Sequence, residues 1–295
     1  MMKNPHFPAG IYPILDLDAC QARSVAPEEV ILEWKTLGWG PFQLRAKGVS
    51  AQEYAALAEK LHAVWMEPLP MQAPIAESDS ADQPDSTSAA TGSMGGHPNR
   101  WFGRPAIIAN DFLELAWHHS DWFCGIHLGQ SDLESLSSRE QAMLQQILDS
   151  GGIAGCSTHN LDQFRRAMEP DESPFGKESR GSVWSYIALG PVFATGSKTK
   201  SSDQNDPLGP EQALEIIAES KVVSQFEERS RPFSVVMIGG LNPENWAELA
   251  KGIQTRGWNT RAFVPAVIGS VMNSGPGADG ARQWDDSLRS LHLDT

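Results

Sequence analysis

Short runs of consecutive apolar residues recur along this chain, and between them apolar positions fall three and four residues apart. The runs lie at residues 10–15, 41–44, 105–109, 123–128, 152–156, 184–189, 234–238 and 262–268. They are continuous rather than alternating, which predicts strands buried on both faces of a parallel sheet. The intervening segments predict helices at 27–37, 51–64, 111–118, 138–148, 160–168, 210–220, 243–253 and 280–291. Start signals agree: Pro27 falls in a first turn with Glu28 and Glu29 beside it, Ser50 is followed three residues on by Glu53, and Asn242 precedes Pro243. Eight strands, each followed by a helix, predict an α/β chain folded as a (β/α)₈ (TIM) barrel. A doubly wound sheet is the alternative, but the Gly-rich turn that opens a dinucleotide fold is missing.

Three polar stretches interrupt this rhythm, at 67–100, 169–182 and 199–208. The first is rich in Ser, Asp, Ala and Gly. It has too little apolar surface to offset ordering, so it is expected to be a disordered insertion between the second helix and third strand. The remainder, within 1–295, makes one barrel domain.

Composition narrows the function classes. Basic residues number 23 against 37 acidic, a net charge of −14, which disfavours binding to nucleic acid or an anionic membrane by bulk charge. Any anion must be captured by a local site. Cys20, Cys124 and Cys156 are odd in number and far apart, which argues against a disulfide framework and a structural zinc site; Cys124 and Cys156 sit in apolar runs and are expected to be buried free thiols. Neither a signal peptide nor an 18-residue apolar span is evident, so a cytoplasmic protein is the expectation, with homo-oligomerisation left open.

Barrel chemistry sits where strands end, on the C-terminal face. After the second strand, Gln43, Arg45 and Lys47 alternate with period two and point one way; facing inward they gather an amide and two cations suited to a polyphosphate, and otherwise they are a solvated strand end. Asn110 and Asp111 follow the third strand and Asp132 the fourth. The two carboxylates would suit Mg²⁺, or else each caps a helix. Ser157 and His159 follow the fifth strand, as a phosphate or capping hydroxyl and an acid–base candidate. Thr195, Gly196, Ser197 and Lys198 are a candidate phosphate-binding loop after the sixth, or else a flexible basic loop, and lack the Gly-Lys-Ser/Thr ending of a nucleotide-triphosphatase. Glycines follow the seventh strand (Gly239, Gly240) and the eighth (Gly269), where barrels often bind phosphate through backbone N–H groups. No carboxylate partner is identifiable for His159, so no Ser-His-Asp triad is expected.

The ordered set Gln43-x-Arg45-x-Lys47, Asn110-Asp111, His127-Leu128-Gly129-Gln130-x-Asp132, Gly155-x-Ser157-x-His159, the stretch from Gly190 to Lys198, and Ile238-Gly239-Gly240-Leu241 resembles the thiamine phosphate synthase family. The resemblance implies a (β/α)₈ transferase that couples an aminomethylpyrimidine (HMP) diphosphate to a thiazole phosphate, yielding thiamine phosphate and pyrophosphate with Mg²⁺ as cofactor. It implies that Gln43, Arg45, Lys47, Asn110, Ser157 and Lys198 contact the pyrimidine diphosphate, with Arg45, Lys47, Ser157 and Lys198 acting in catalysis. It implies Asp111 and Asp132 as metal ligands, and Thr195, Ser197, Gly240, Ile268 and Gly269 as thiazole phosphate contacts. The implied path is dissociative and demands leaving-group stabilisation rather than a base.

The chain departs from the family pattern in places. Gly269 stands where Ser is common, so that hydroxyl is lost or supplied by Ser270. Phe112 replaces a common acidic residue, the stretch before strand eight (Gly257 to Thr260) lacks the usual Gly-Ala-Asp-Gly, and the 67–100 insertion is extra. The alternatives are a thiazole tautomerase-like isomerase using His159, and a non-catalytic barrel that binds phosphate ligands. Deleting 78–96 is expected to leave the implied coupling rate nearly unchanged in a pyrophosphate-release assay; a large loss in a folded deletion would make the segment part of the site.

Overall fold

A run of apolar residues too short for a buried helix becomes a strand when both its faces can be covered. Eight such runs do so in the computed structural model, which describes residues 10–69, 103–168, 184–195, 206–225, 233–272 and 280–293. They are β1 (Tyr12–Asp16), β2 (Phe42–Arg45), β3 (Ile107–Asn110), β4 (Phe123–Leu128), β5 (Ile153–Thr158), β6 (Tyr186–Leu189), β7 (Ser234–Ile238) and β8 (Phe263–Val267). All pair in parallel in sequence order, and β8 closes onto β1 through Tyr12↔Ala266 and Pro13↔Val267. The expected (β/α)₈ barrel is the fold of this chain. The expected 67–100 insertion lies outside the described residues except for 67–69, as do the polar stretch 169–182 and residues 199–205.

The described helices are α1 (Leu17–Arg23), α2 (Pro27–Thr36), α3 (Ala51–Met66), α4 (Leu113–His118), α5 (Gln130–Ser135), α6 (Ser138–Asp149), α7 (Leu161–Met168), α8 (Pro210–Ser220), α9 (Pro243–Thr255) and α10 (Gly280–Leu293). The start signals work as the sequence indicates. Ser50 Oγ accepts from Glu53 N (3.2 Å) while Glu53 Oε2 accepts from Ser50 N (2.8 Å), and Asn242 Oδ1 accepts from Asn245 N (2.9 Å).

One expectation needs correction, because β1 and β4 are each followed by two helices rather than one. The short α1 forms because Asp16 Oδ1 accepts from Ala19 N (2.8 Å) at its start and Ser24 ends it in the left-handed conformation (φ 54°). The short α5 begins at Gly129, whose N–H donates to Asp132 Oδ2 (3.0 Å). Six or seven residues cannot show a helical period, so neither is readable as a pattern.

Between barrel and helices lies an apolar layer. Phe42 packs edge-on against Trp34 of α2 (6.0 Å between centroids) and against Trp65 of α3 (5.5 Å). Burying three such rings is a large share of the drive that holds these helices on the sheet. Buried Lys35 of α2 donates to the carbonyl oxygens of Val64 and Glu67, meeting the orphan carbonyls at the end of α3 with a cation.

Paired residues in a parallel ladder face the same way. The chain of partners Ile14, Gln43, Ile108, Gly125, and above it Asp16, Arg45, then Asn110, His127, Gly155, Tyr186, Ser234, defines the inward face. The interior is partly polar. Tyr12 Oη bonds Tyr186 Oη (2.8 Å), Tyr186 Oη bonds His127 Nδ1 (2.9 Å), and His127 Nε2 bonds Ser157 Oγ (2.9 Å). The chain has room because position 155 is glycine; a Cβ there would fall 2.0 Å from the Tyr186 ring.

Buried Tyr54 of α3 ties two strand ends together. Its hydroxyl donates to Leu44 O (2.7 Å) and accepts from Asn110 N (3.1 Å), fixing where β3 delivers Asn110 and Asp111. Tyr54→Phe leaves both backbone groups unpaired, so it is expected to lower the unfolding free energy by about 1–3 kcal/mol in urea titration. An unchanged midpoint would mean that this tie contributes nothing.

Candidate functional site

The sequence-predicted residues that are described gather at the C-terminal end of the strands. Gln43 and Arg45 stand on β2, Lys47 just beyond it, Asn110 ends β3, Asp111 follows it, and Asp132 lies in the first turn of α5. Ser157 stands near the end of β5, and Thr195, Gly240, Ile268 and Gly269 follow β6, β7 and β8. Ser197 and Lys198 lie outside the described residues.

The carboxylates of Asp111 and Asp132 come together across the gap between β3 and β4. Asp111 holds a left-handed backbone (φ 66°) that only Asn, Asp and Gly adopt readily, and its N–H donates to His127 O (3.1 Å). Asn110 Nδ2 donates to Asp111 Oδ2. The side chain keeps an opening to solvent at the mouth. Desolvation first, then repulsion by and hydrogen bonding with Asp132, push its carboxyl from 3.8 up to about 6, against the pull of Lys47. The carboxyl is open to solvent, which screens its desolvation, and the facing Asp132 carboxylate is the specific cause of the rise. As for the capping reading, Asp111 caps nothing, since Phe112 is the cap position of α4 and makes no side-chain cap bond. Asp132 does serve α5, through the bond with Gly129 N, and its other oxygen remains for the site.

The cations and amide are held in distinct ways. Arg45 is ion-paired through Nη1 with Asp16 Oδ2, and Asp16 is 1% exposed. Asp16 therefore fixes the guanidinium of Arg45 while capping α1. Lys47 is exposed in the mouth. Gln43 is 3% exposed, and its Nε2 has no hydrogen-bond partner among the described residues. A buried N–H₂ left unmet costs about 1–3 kcal/mol, and a ligand acceptor reaching into the barrel would recover it.

The fifth-strand residues fall differently from expectation. Ser157 is within β5, not a helix cap; its Oγ sits on His127 Nε2, and Gln130 Nε2 donates to its carbonyl. Thr158 faces away and donates to Ala188 O (2.9 Å). His159 Nδ1 donates to Gly190 O (2.5 Å), so the ring secures the start of the β6 loop. His127, buried, has its pKa lowered to about 4 by desolvation and is neutral at physiological pH.

Beyond β7, Gly240 (φ 61°) lies beneath the β6 loop: a Cβ there would meet Ala194 O at 2.3 Å. Close backbone approach, not only exposure of an N–H, requires this glycine. Ser270 does not simply stand in for a side chain at 269, because its Oγ accepts from Trp284 Nε1 (3.0 Å).

Buried Asp16, Tyr54, His127 and Tyr186 were given no role in the site from sequence. His127 stands in one of the motifs that carry the resemblance and Asp16 is an acidic residue ending an apolar run, whereas nothing local marks Tyr54 or Tyr186. All three cysteines are free; Cys20 and Cys156 are buried, while Cys124 is half-buried and donates to Ile107 O. No described helix is long and apolar enough to cross a membrane.

Fold and mouth together define a (β/α)₈ barrel with a carboxylate pair, two cations and glycine turns on its functional face. Residues 103–267 match the family model described as thiamine monophosphate synthase, and the chain belongs to that family. Curated proteins named thiamine-phosphate synthase resemble it. The one from Moorella thermoacetica is 31% identical over 166 residues, 56% of this chain and 60% of that protein. The one from Pelotomaculum thermopropionicum is 35% identical over 165 residues, 56% and 58%. The one from Staphylococcus saprophyticus is 31% identical over 143 residues, 48% and 51%. The chain thus spans roughly half the length of these relatives.

The carboxylate pair has a measurable signature. Asp111 binds its proton more tightly folded than unfolded, so its stabilisation is full below pH 3.8 and is lost as pH rises through about 6. Asp111→Asn keeps the left-handed backbone and mimics the protonated acid. Metal-free, it is expected to match the parent's Tm near pH 4 and exceed it at pH 8. Equal Tm values at both pH would show that the two carboxylates do not repel each other.

Proposed function

We propose that this chain is a thiamine phosphate synthase that joins the pyrimidine diphosphate to thiazole phosphate and releases pyrophosphate. The observation that carries this reading is the Asp111–Asp132 pair beside Lys47, on a barrel of this family. A carboxyl whose proton affinity is raised beside a second carboxylate, as that of Asp111 is beside Asp132, suits a divalent cation that replaces the proton. No group of three or more His, Cys, Asp or Glu placed to hold a metal ion occurs among the described residues. Mg²⁺ commonly needs only one or two carboxylates, because it keeps waters and takes substrate oxygens. Asp111 and Asp132 would hold it, and bound there it would offset charge on the diphosphate.

The remaining steps belong to the protein. The carbon–oxygen bond between the pyrimidine methylene and the diphosphate breaks, and its electron pair leaves with pyrophosphate. Lys47, Arg45 held by Asp16, and Lys198 of the β6 loop neutralise that developing charge. The thiazole nitrogen lone pair then forms the new carbon–nitrogen bond. No proton is removed, so a general base is not required, in keeping with a neutral His127 and with His159 bound to Gly190 O. Gln43 Nε2 offers a donor to the pyrimidine diphosphate, and Ser157, turned by His127, a hydroxyl. The Gly240 and Gly269 turns receive the thiazole phosphate.

The test is pyrophosphate release by purified protein given both substrates and Mg²⁺, with a chelator control. Release dependent on both substrates and metal, with thiamine phosphate formed, is expected, and Asp111→Asn should lower it about 100-fold or more in a folded protein. Conversion of the thiazole tautomer without coupling would replace this reading with the isomerase; neither activity would leave a phosphate-binding barrel.

A further inference from the structure

The short helix α1 brings an arginine to the far side of the barrel closure. Asp16 anchors the helix start at the mouth, through Ala19 N, and Arg23 lies in its last turn. Because β1 pairs with β8, the end of α1 reaches the turn after β8. There Arg23 Nη2 sits 3.0 Å from where a Cβ would stand on Gly269, while Nη1 donates to Ala19 O (3.3 Å). One arm of the guanidinium is thus steadied by its own helix and the other covers the Gly269 backbone.

That position matters for three reasons. Gly269 has no side chain to offer a ligand, and the Ser270 oxygen is held by the indole N–H of Trp284, which steers that hydroxyl toward α10. The turns after strands seven and eight are where barrels commonly seat a phosphate. In a chain of net charge −14, a phosphate there needs a nearby cation, and a guanidinium can present two parallel donors to it.

Resting on the synthase reading above, we propose that Arg23 is a substrate-binding residue that grips the phosphate monoester of the second substrate over the Gly239-Gly240 and Gly269 turns. The bland role for Arg23 is to satisfy a carbonyl of α1 as a basic residue in its last turn.

Steady-state kinetics on the full chain separate the two. Arg23→Ala is expected to raise KM for thiazole phosphate about 10- to 100-fold, the range of a charge-assisted contact. KM for the pyrimidine diphosphate and kcat/KM for the unphosphorylated thiazole alcohol should stay within about twofold, and Arg23→Lys should fall between parent and Ala. An unchanged thiazole phosphate KM, or equal losses with the phosphorylated and unphosphorylated thiazoles, would overturn the assignment while the synthase reading stands. If the parent chain does not couple at all, that reading fails. Calorimetric titration with inorganic phosphate then decides Arg23: tenfold weaker binding in Arg23→Ala supports it, and equal binding overturns it.

Discussion

Closing eight parallel strands into one barrel removes every free edge and also decides which way each side chain points. With β1 against both β2 and β8, no strand can slip by a residue without turning a polar mouth residue into the apolar layer under the helices. The ladder that places Gln43 beside Ile14 also places Arg45 beside Asp16, and the one that places Asn110 beside His127 continues to Gly155 and Tyr186. The arrangement of the mouth follows from this single register. Arg45 reaches Asp16 because their strands are paired there, and Arg23 reaches Gly269 because the last strand returns to the first.

The interior that results has costs as well as contacts. A barrel of this size is usually filled with branched apolar side chains, whereas this one threads Tyr12, Tyr186, His127 and Ser157 through its upper half. Each link satisfies a group that would otherwise be buried and unmet, so removing one member exposes its neighbours to that penalty. The network orients the Ser157 hydroxyl from beneath. The repelling Asp111–Asp132 pair, the left-handed Asp111 backbone and the Gln43 Nε2, without a partner among the described residues, all stand at the same mouth, where local destabilisation is a common mark of a site shaped for a ligand.

Much of this was legible in the sequence, for a physical reason. Continuous apolar runs and the capping residues Ser50 and Asn242 act locally, so strands, main helices and the mouth positions of Gln43, Arg45, Lys47, Asp111 and Asp132 could be read in order. What could not be read acts across the fold. Tyr54 serves Asn110 from 56 residues away, Tyr186 serves His127 from 59, and Asp16 serves Arg45 from 29. No local period records such partners. The short α1 was invisible for lack of length, and with it the reach of Arg23. The capping and ligand readings of the two aspartates could be separated only by the backbone: Asp111 is turned left-handed and caps nothing, while Asp132 uses one oxygen on Gly129 and retains the other.

The distribution of charge gives the mouth its character. At physiological salt, exposed charges more than about 8 Å apart are largely screened, so a net charge of −14 spread over the surface does little at the bottom of a cleft. What an arriving anion meets is the local set: Lys47 beside the carboxylates, Arg45 pinned by Asp16, and Arg23 on the opposite side of the closure. A large polyanion would contact the acidic exterior along with this set, whereas a small phosphate ester meets the set alone. On the proposed reading, an acidic chain with a few fixed cations suits small phosphorylated molecules rather than a polyanion, and cations divided between the ends of β2 and β8 give each of two such molecules its own partner.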